Sequence, residues 1–356
     1  MLRKLAAAAL LATVTLGATE PSPAPMKSRT FGLVIHGGAG AILRENMPPA
    51  LEAEYRAKLG EALAAGYAVL ERGGAALDAV VAAIRVLEDS PLFNAGKGAV
   101  LNAEGVCELD ASIMDGRTLA AGAVAGLHHI RNPITLARDV MAKSGHVLMI
   151  GDGAETYAQK LGYALEPSDY FITEVRKLQL EQARRIEAGG KPSAAIMQER
   201  IGNGRPGDEY RVNEFKYGTV GCVALDQGGN LAAGTSTGGL TNKRYGRVGD
   251  SAVIGAGTYA NNATCALSAT GQGEFFIRSV VGHDVSAQMA YRGASLAQAA
   301  ADTLRRVGEL GGTGGVIAID HDGNVAMPFN TPGMYRGVHL SSGQSVIELY
   351  AADAAK

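Results

Sequence analysis

Hydrophobic and polar positions change their spacing along the chain, and each change predicts an element. Phe31–His36 is a short apolar run leading into His36-Gly-Gly-Ala-Gly40, the pattern of a buried strand. Apolar residues three and four apart over Ala50–Arg72 and Ala75–Asp89 predict two helices, stopped by Gly73-Gly74 and Ser90-Pro91. Glycine-punctuated strands follow at Val106–Met114, Leu119–Val124 and Val147–Ile150, then a charge-rich helix over Ile172–Ala188. After Gly189-Gly-Lys-Pro192, the polar stretch Gly202–Lys216 has neither period, and a long loop inside a compact domain tends to be functional or disordered.

Short strands dominate the rest. Thr219–Asp226, the turn Gln227-Gly-Gly-Asn230 and Leu231–Thr237 read as a hairpin. Gly315–Asp320, the turn His321-Asp-Gly-Asn324 and Val325–Pro328 read as a second, with helices at Glu274–Tyr291 and Ser295–Glu309 between the two. Runs of strands separated by helix pairs predict an α+β fold: two antiparallel sheets face to face with helices outside, an αββα sandwich. No linker divides the chain into self-sufficient halves, so one domain is expected.

Charge and composition narrow the function. The chain has 33 Lys+Arg against 35 Asp+Glu, and 47% of its 356 residues are apolar, which excludes a disordered chain. The absence of net positive charge removes any electrostatic argument for nucleic acid or an anionic membrane as partner. The 48 glycines lie well above average usage, and Trp is absent, so many close backbone approaches are expected. Arg3-Lys4, the apolar run Leu5–Leu16 and Gly17-Ala18 form a secretory signal peptide over residues 1–18, predicting export to the periplasm. Cys107, Cys222 and Cys265 have no metal-like spacing; an oxidising compartment would permit one disulfide, and the sequence does not choose the pair.

Three chemistries deserve weighing. Gly234-Thr-Ser236-Thr-Gly238 matches a serine nucleophile elbow and His36-Gly-Gly a lipase oxyanion motif, but no helix follows Ser236 as an elbow requires. The glycines after His36 match neither a dinucleotide fingerprint nor a Walker loop. The third begins at Tyr217-Gly218-Thr219, where the polar loop meets a strand. A cut after Gly218 would give Thr219 both a nucleophilic hydroxyl and a free α-amine of pKa about 8 to serve as its base. Local physics alone also allows Gly-Thr simply to open a hairpin strand.

The run from Gly218 through Asn262 (GTVGCVALDQGGNLAAGTSTGGLTNKRYGRVGDSAVIGAGTYANN) resembles the signature of the threonine-type (plant-type) L-asparaginase and isoaspartyl peptidase family of N-terminal nucleophile hydrolases. Similar stretches occur at His36 (HGGAG), Ser90 (SPLFNAGKGAVLN), Glu108 (ELDASIMDG) and Ser268 (SATGQGEFFIR), spanning nearly the whole chain after the leader. The STGGLTNK stretch favours the isoaspartyl peptidase branch over glycosylasparaginases, which act on glycosylated asparagine. A non-catalytic periplasmic amino-acid-binding protein is the other alternative; it has no use for the Gly218-Thr219 junction.

The resemblance implies roles. Thr219 is the nucleophile, freed by self-cleavage into an α subunit, 19–218, and a β subunit, 219–356. Thr237 bonds its hydroxyl, and Asn94 positions the amine or a water. Arg247 and Asp250, with Val248 and Gly249, hold the α-carboxylate and α-amine of an L-aspartyl group; Thr270 and Gly271 form the oxyanion hole, and Gln272 and Gly273 line the site. Gln272 and Lys97 depart from the family's commonest residues, where neither role uses the side chain. The backbone carbonyls of Leu87, Glu88, Ser90, Phe93, Ala95 and Lys97 are implied ligands of a structural Na+. No catalytic cofactor is implied, and the expected assembly is a dimer of αβ heterodimers acting on a small or dipeptide substrate.

Overall fold

The computed structural model describes residues 30–189 and 216–351, and the signal-peptide reading and most of the polar loop before Lys216 lie outside them. Thirteen strands are described: β1 (Gly32–Gly40), β2 (Leu109–Asp115), β3 (Ala121–Leu127), β4 (Leu148–Ile150), β5 (Lys216–Tyr217), β6 (Val220–Leu225), β7 (Leu231–Thr237), β8 (Thr258–Ala260), β9 (Cys265–Gly271), β10 (Gly314–Asp320), β11 (Val325–Ala326), β12 (Gly333–Leu340) and β13 (Ser345–Tyr350). They form a nine-stranded sheet, in the order β13-β12-β1-β6-β7-β2-β3-β4 with β5 also on β1, and a four-stranded sheet, β11-β10-β9-β8.

Strand alternation builds the layers. Leu33 and Ile35 of β1 point to the helices, whereas Val34 points to the other sheet with Val223, Ala233, Ile317 and Ile319. On the outer face of the large sheet lie α1 (Pro49–Glu71), α2 (Ala76–Glu88), α3 (Pro133–Lys143), α4 (Gly151–Lys160) and α5 (Glu174–Glu187). The helix α1 starts on a proline in its first turn and buries Leu51, Tyr55, Leu59, Leu63 and Leu70, one stripe at helical spacing. The small sheet is covered by α6 (Gly273–Ser279), α7 (Val281–Arg292) and α8 (Leu296–Glu309) around Phe276, Val285 and Leu304. The expected αββα sandwich is therefore present.

Three differences from expectation have local causes. The pair β3–β4 is parallel, because α3, which the sequence pattern does not announce, crosses between the two strands. The helix expected over Glu274–Tyr291 is two helices, divided at Val280 with φ of 47°. The break lets Gly282 and His283 donate their N–H groups to Ala256 and Gly255 instead of continuing one helix. The strands β8 and β9 carry Thr258, Ser268 and Thr270 inside the sandwich, so their polarity hides them from an apolar-run reading.

Candidate active site

The junction Gly218-Thr219 sits in a gap in a β-ladder. Lys216 and Tyr217 pair with Gly40 and Ala39, and Gly221 onward pairs with His36 back to Gly32, so the backbone between lies unpaired along β1. Thr219 is nevertheless buried. Its hydroxyl donates to Thr237 Oγ1 at 3.0 Å, and that oxygen also accepts the Gly239 N–H. The Thr219 carbonyl, lacking a ladder partner there, lies 2.9 Å from His36 Nδ1.

Asn94 closes over the other side of the junction through its backbone. Its N–H donates to the Gly218 carbonyl at 3.2 Å, and its carbonyl accepts the Gly238 N–H. The side-chain amide is spent elsewhere: Nδ2 donates to Gly239 O, and Oδ1 accepts from Val100 N–H. Asn94 thus polarises the Gly218 carbonyl from the main chain, while its side chain shapes the loop bearing Gly238 and Gly239.

A second group of residues lies around Gly273. A Cβ there would fall 2.9 Å from Arg247 Nη2 and from Asp250 Oδ1, so this glycine lets the cation and the anion flank one bare stretch of backbone. Asp250 opens a 3-10 turn and is almost wholly buried; its Oδ2 has no hydrogen-bond partner. Burial pushes its carboxyl up to about 7 despite the opposing pull of Arg247. Arg247 meanwhile directs Nε and Nη2 to the two carboxylate oxygens of Glu274, which this contact holds below the usual carboxylate range. Its planar fork suits a substrate carboxylate in the same way.

The strand β9 joins the two groups. Ser268 Oγ lies 2.9 Å from His36 Nε2, the ring whose other nitrogen meets Thr219. Two residues on, and so on the same face, comes Thr270, then Gly271 at the strand end and Gly273 opening α6. Thr270 and Gly271 thus lie along the strand between Ser268, which meets His36, and Gly273, which meets Arg247 and Asp250.

A family model described as Asparaginase matches residues 29–348. The chain belongs to the asparaginase family. Among relatives, the isoaspartyl peptidases of Salmonella typhimurium and Escherichia coli are each 52% identical over 305 residues, covering 85% of this chain and 93% and 91% of theirs. The plant-type L-asparaginase of Pyrococcus furiosus is 42% identical over 306 residues, 85% of this chain and 94% of its own.

Within this asparaginase fold the serine alternative has no geometry to support it. Ser236 lies fully buried inside β7 and donates to Glu88 Oε1 at 2.7 Å, facing α2. Val248 is exposed beside Arg247, and Gln272 spends Oε1 on the Thr313 N–H, so neither side chain joins the central cluster. The three cysteines are buried and free; Cys222 and Cys265 belong to cores on opposite sides of the sandwich. The residues 87–97 curl so that Lys97 N–H reaches the Glu88 carbonyl at 2.7 Å, and a Cβ at Gly96 would fall 2.5 Å from that oxygen. The Glu88 and Leu87 carbonyls thus already accept from Lys97 and Ser90 N–H, and no His, Cys, Asp and Glu cluster able to hold a metal occurs among the described residues.

Sequence reasoning missed His36, Ser268 and Glu274 as parts of this region. The motif HGGAG marked His36 without indicating its partner, and the SATGQGEFFIR segment contains Ser268 and Glu274 without indicating theirs. The crowding at Gly273 gives a direct expectation. Gly273→Ala should raise KM by about tenfold or more with a smaller change in kcat, since a Cβ must displace Arg247 or the Asp250 backbone. Steady-state kinetics check this, and an unchanged KM would exclude Gly273 from the binding region.

Proposed function

We propose that this chain is an isoaspartyl peptidase with L-asparaginase activity, acting through Thr219 after cleaving itself at Gly218-Thr219. The observation that carries the reading is the buried hydroxyl pair Thr219–Thr237, placed at a ladder gap whose preceding carbonyl is held by Asn94 N–H. The relatives named isoaspartyl peptidase support the substrate class.

In the first stage, Thr219 Oγ1 attacks the Gly218 carbonyl carbon and loses its proton. Asn94 N–H stabilises the charge growing on the Gly218 oxygen. Expulsion of the Thr219 nitrogen, which gains a proton, leaves an ester on Oγ1; water cleaves it and frees the α-amine. In the second stage, Arg247 takes the substrate α-carboxylate and Asp250 its α-ammonium, filling the partnerless Oδ2. The α-amine of Thr219 accepts the hydroxyl proton as Oγ1 attacks the β-carbonyl, with Thr270 and Gly271 receiving the oxyanion. Ammonia or an amino acid leaves with a proton, and water then hydrolyses the β-aspartyl ester.

The loop 87–97 would hold Na+ through its carbonyls, a structural ion that supplies shape to the Asn94 segment. Residues 1–18 would direct export to the periplasm, and two αβ units would assemble as a dimer, readings that rest on the leader pattern and the family resemblance. Intact mass spectrometry of purified protein should show one chain ending at Gly218 and another beginning at Thr219. The same sample should release leucine from β-Asp-Leu. A single uncleaved species, or no hydrolysis of β-Asp-Leu and asparagine, would overturn the proposal.

A further inference from the structure

His36 lies beside the proposed nucleophile yet touches neither its hydroxyl nor any substrate group described above. It is fully buried, and burial pushes its imidazole down to about 3, so the ring is neutral at working pH. The Thr219 carbonyl can only accept, so Nδ1 carries the ring proton and donates across 2.9 Å. Nε2 is then an acceptor, and the Ser268 hydroxyl 2.9 Å away donates to it.

Behind Ser268 runs a line of buried hydroxyls, each with one proton to give. Thr235 Oγ1 is 2.7 Å from Ser268 Oγ, and Thr258 Oγ1 is 2.5 Å from Thr235 Oγ1. Ser112 Oγ lies 2.8 Å from Thr258 Oγ1 and 2.6 Å from the carbonyl of Ser251, the residue after Asp250. Ser268 gives its proton to His36 and Thr258 gives its own to Thr235, whose single proton has two acceptors in reach, Ser268 Oγ and the Gly257 carbonyl at 3.0 Å. The carbonyls of Gly257 and Ser251 anchor the line at Thr235 and Ser112, so the buried hydroxyls hold one another in place. The line crosses both sheets, through β2, β8, β7, β9 and β1. Gly221 leaves room for it: a Cβ there would fall 2.0 Å from Ser268 Oγ and 2.3 Å from His36 Nε2.

We propose that His36 is a positioning residue for Thr219, with the Ser268 hydroxyl, held at the end of the buried line that starts at Ser112, meeting Nε2 and fixing the ring plane. The inference rests on Thr219 being the nucleophile. Once the Gly218-Thr219 bond is cut, β5 no longer restrains Thr219 through the chain. Its backbone is then tied only on the side of Val220, which pairs with Ser236. The His36 bond to the Thr219 carbonyl sets rotation about the last backbone torsion before that anchor. That rotation decides where the amine and Oγ1 point. The same bond orients Thr219 against the Gly218 carbonyl before cleavage.

The two nitrogens can be tested separately, since an Asn amide nitrogen overlays Nδ1 of His and a Gln amide nitrogen overlays Nε2. In the full chain, His36→Gln should slow self-cleavage, or lower kcat per processed chain, by about 100-fold with KM within threefold. His36→Asn, which keeps a donor to Thr219, should restore both to within about tenfold of wild type, as a misplacement argument requires. Equal impairment of Asn and Gln in folded protein, or wild-type behaviour of Gln, would overturn the proposal. If His36→Gln does not fold, Ser268→Ala decides: a fall in kcat of about tenfold at constant KM supports it, and no change overturns it. Failure of the nucleophile reading shows differently, as an uncleaved wild type or an active Thr219→Ala.

Discussion

Thr219→Ala should purify as one uncut chain and lose hydrolysis of β-Asp-Leu by roughly 10⁴–10⁶-fold, the scale on which removal of a nucleophile acts. Alanine keeps the Cβ and the backbone, so Thr237 loses one donated bond and β6 keeps its pairing. Thermal stability should therefore change little, by about 1 kcal/mol for one neutral hydrogen bond. A side-by-side gel, an intact mass and a turnover assay check the three parts together. Thr219→Ser separates the roles further: it retains a hydroxyl and should still cleave, whereas a valine, matching the shape without the hydroxyl, should not. Cleavage of the Ala variant, or turnover within a hundredfold of wild type, would move the nucleophile elsewhere and remove the reason for the ladder gap.

What could be read from sequence follows from how local each signal is. The strand–turn–strand at Thr219–Thr237 and the helices α1 and α2 have strong periods and stop signals, so the layered fold was accessible. Thr219, Arg247 and Asp250 lie in one continuous stretch whose pattern is specific, and the structure places each beside other residues of that stretch or of the SATGQG segment. The glycine excess also acquires a meaning at Gly273 and Gly221, where side-chain atoms of Arg247, Asp250, His36 and Ser268 occupy the space of a Cβ. What escaped depends on distance along the chain. His36 and Ser268 are 232 residues apart, and no local pattern could join them. The strand β9 carries polar residues inward because they bond one another, which an apolar-run criterion reads as loop. Val280 reads as the interior of a helix, yet tertiary hydrogen bonds to Gly255 and Ala256 break the helix there. Asn94 was expected to position the amine or a water, and the contact of its backbone N–H with the Gly218 carbonyl is one that no side-chain motif encodes.

Asp250→Asn should lower kcat/KM by roughly 10²–10³-fold, the cost of removing one partner of a buried charge pair. It should also make the folded protein more stable at pH 8. Both effects come from one feature, a buried carboxylate with an unpartnered oxygen and its proton affinity raised to about pH 7. In the unfolded chain the same group titrates near 3.9, so the native state binds the extra proton between these values. Its contribution to stability is complete below about pH 4 and is lost as pH rises toward 7, where the folded protein must ionise a buried acid. Asparagine has no such loss, so the variant's Tm should exceed that of wild type at pH 8 and converge with it near pH 4. A bound ammonium reverses the balance by giving Oδ2 its partner, so ligand binding below pH 7 must expel the proton. Inhibition by the product L-aspartate should accordingly weaken by up to tenfold per unit as pH falls below about 7, and Asp250→Asn should abolish that slope. The α-amine of Thr219, with an ordinary pKa of about 8, acts on kcat and does not produce a slope that vanishes in the Asp250 variant. A Ki for aspartate independent of pH between 5 and 7, or a variant with an unchanged KM, would show that Asp250 is a structural acid and not the ammonium's counter-ion.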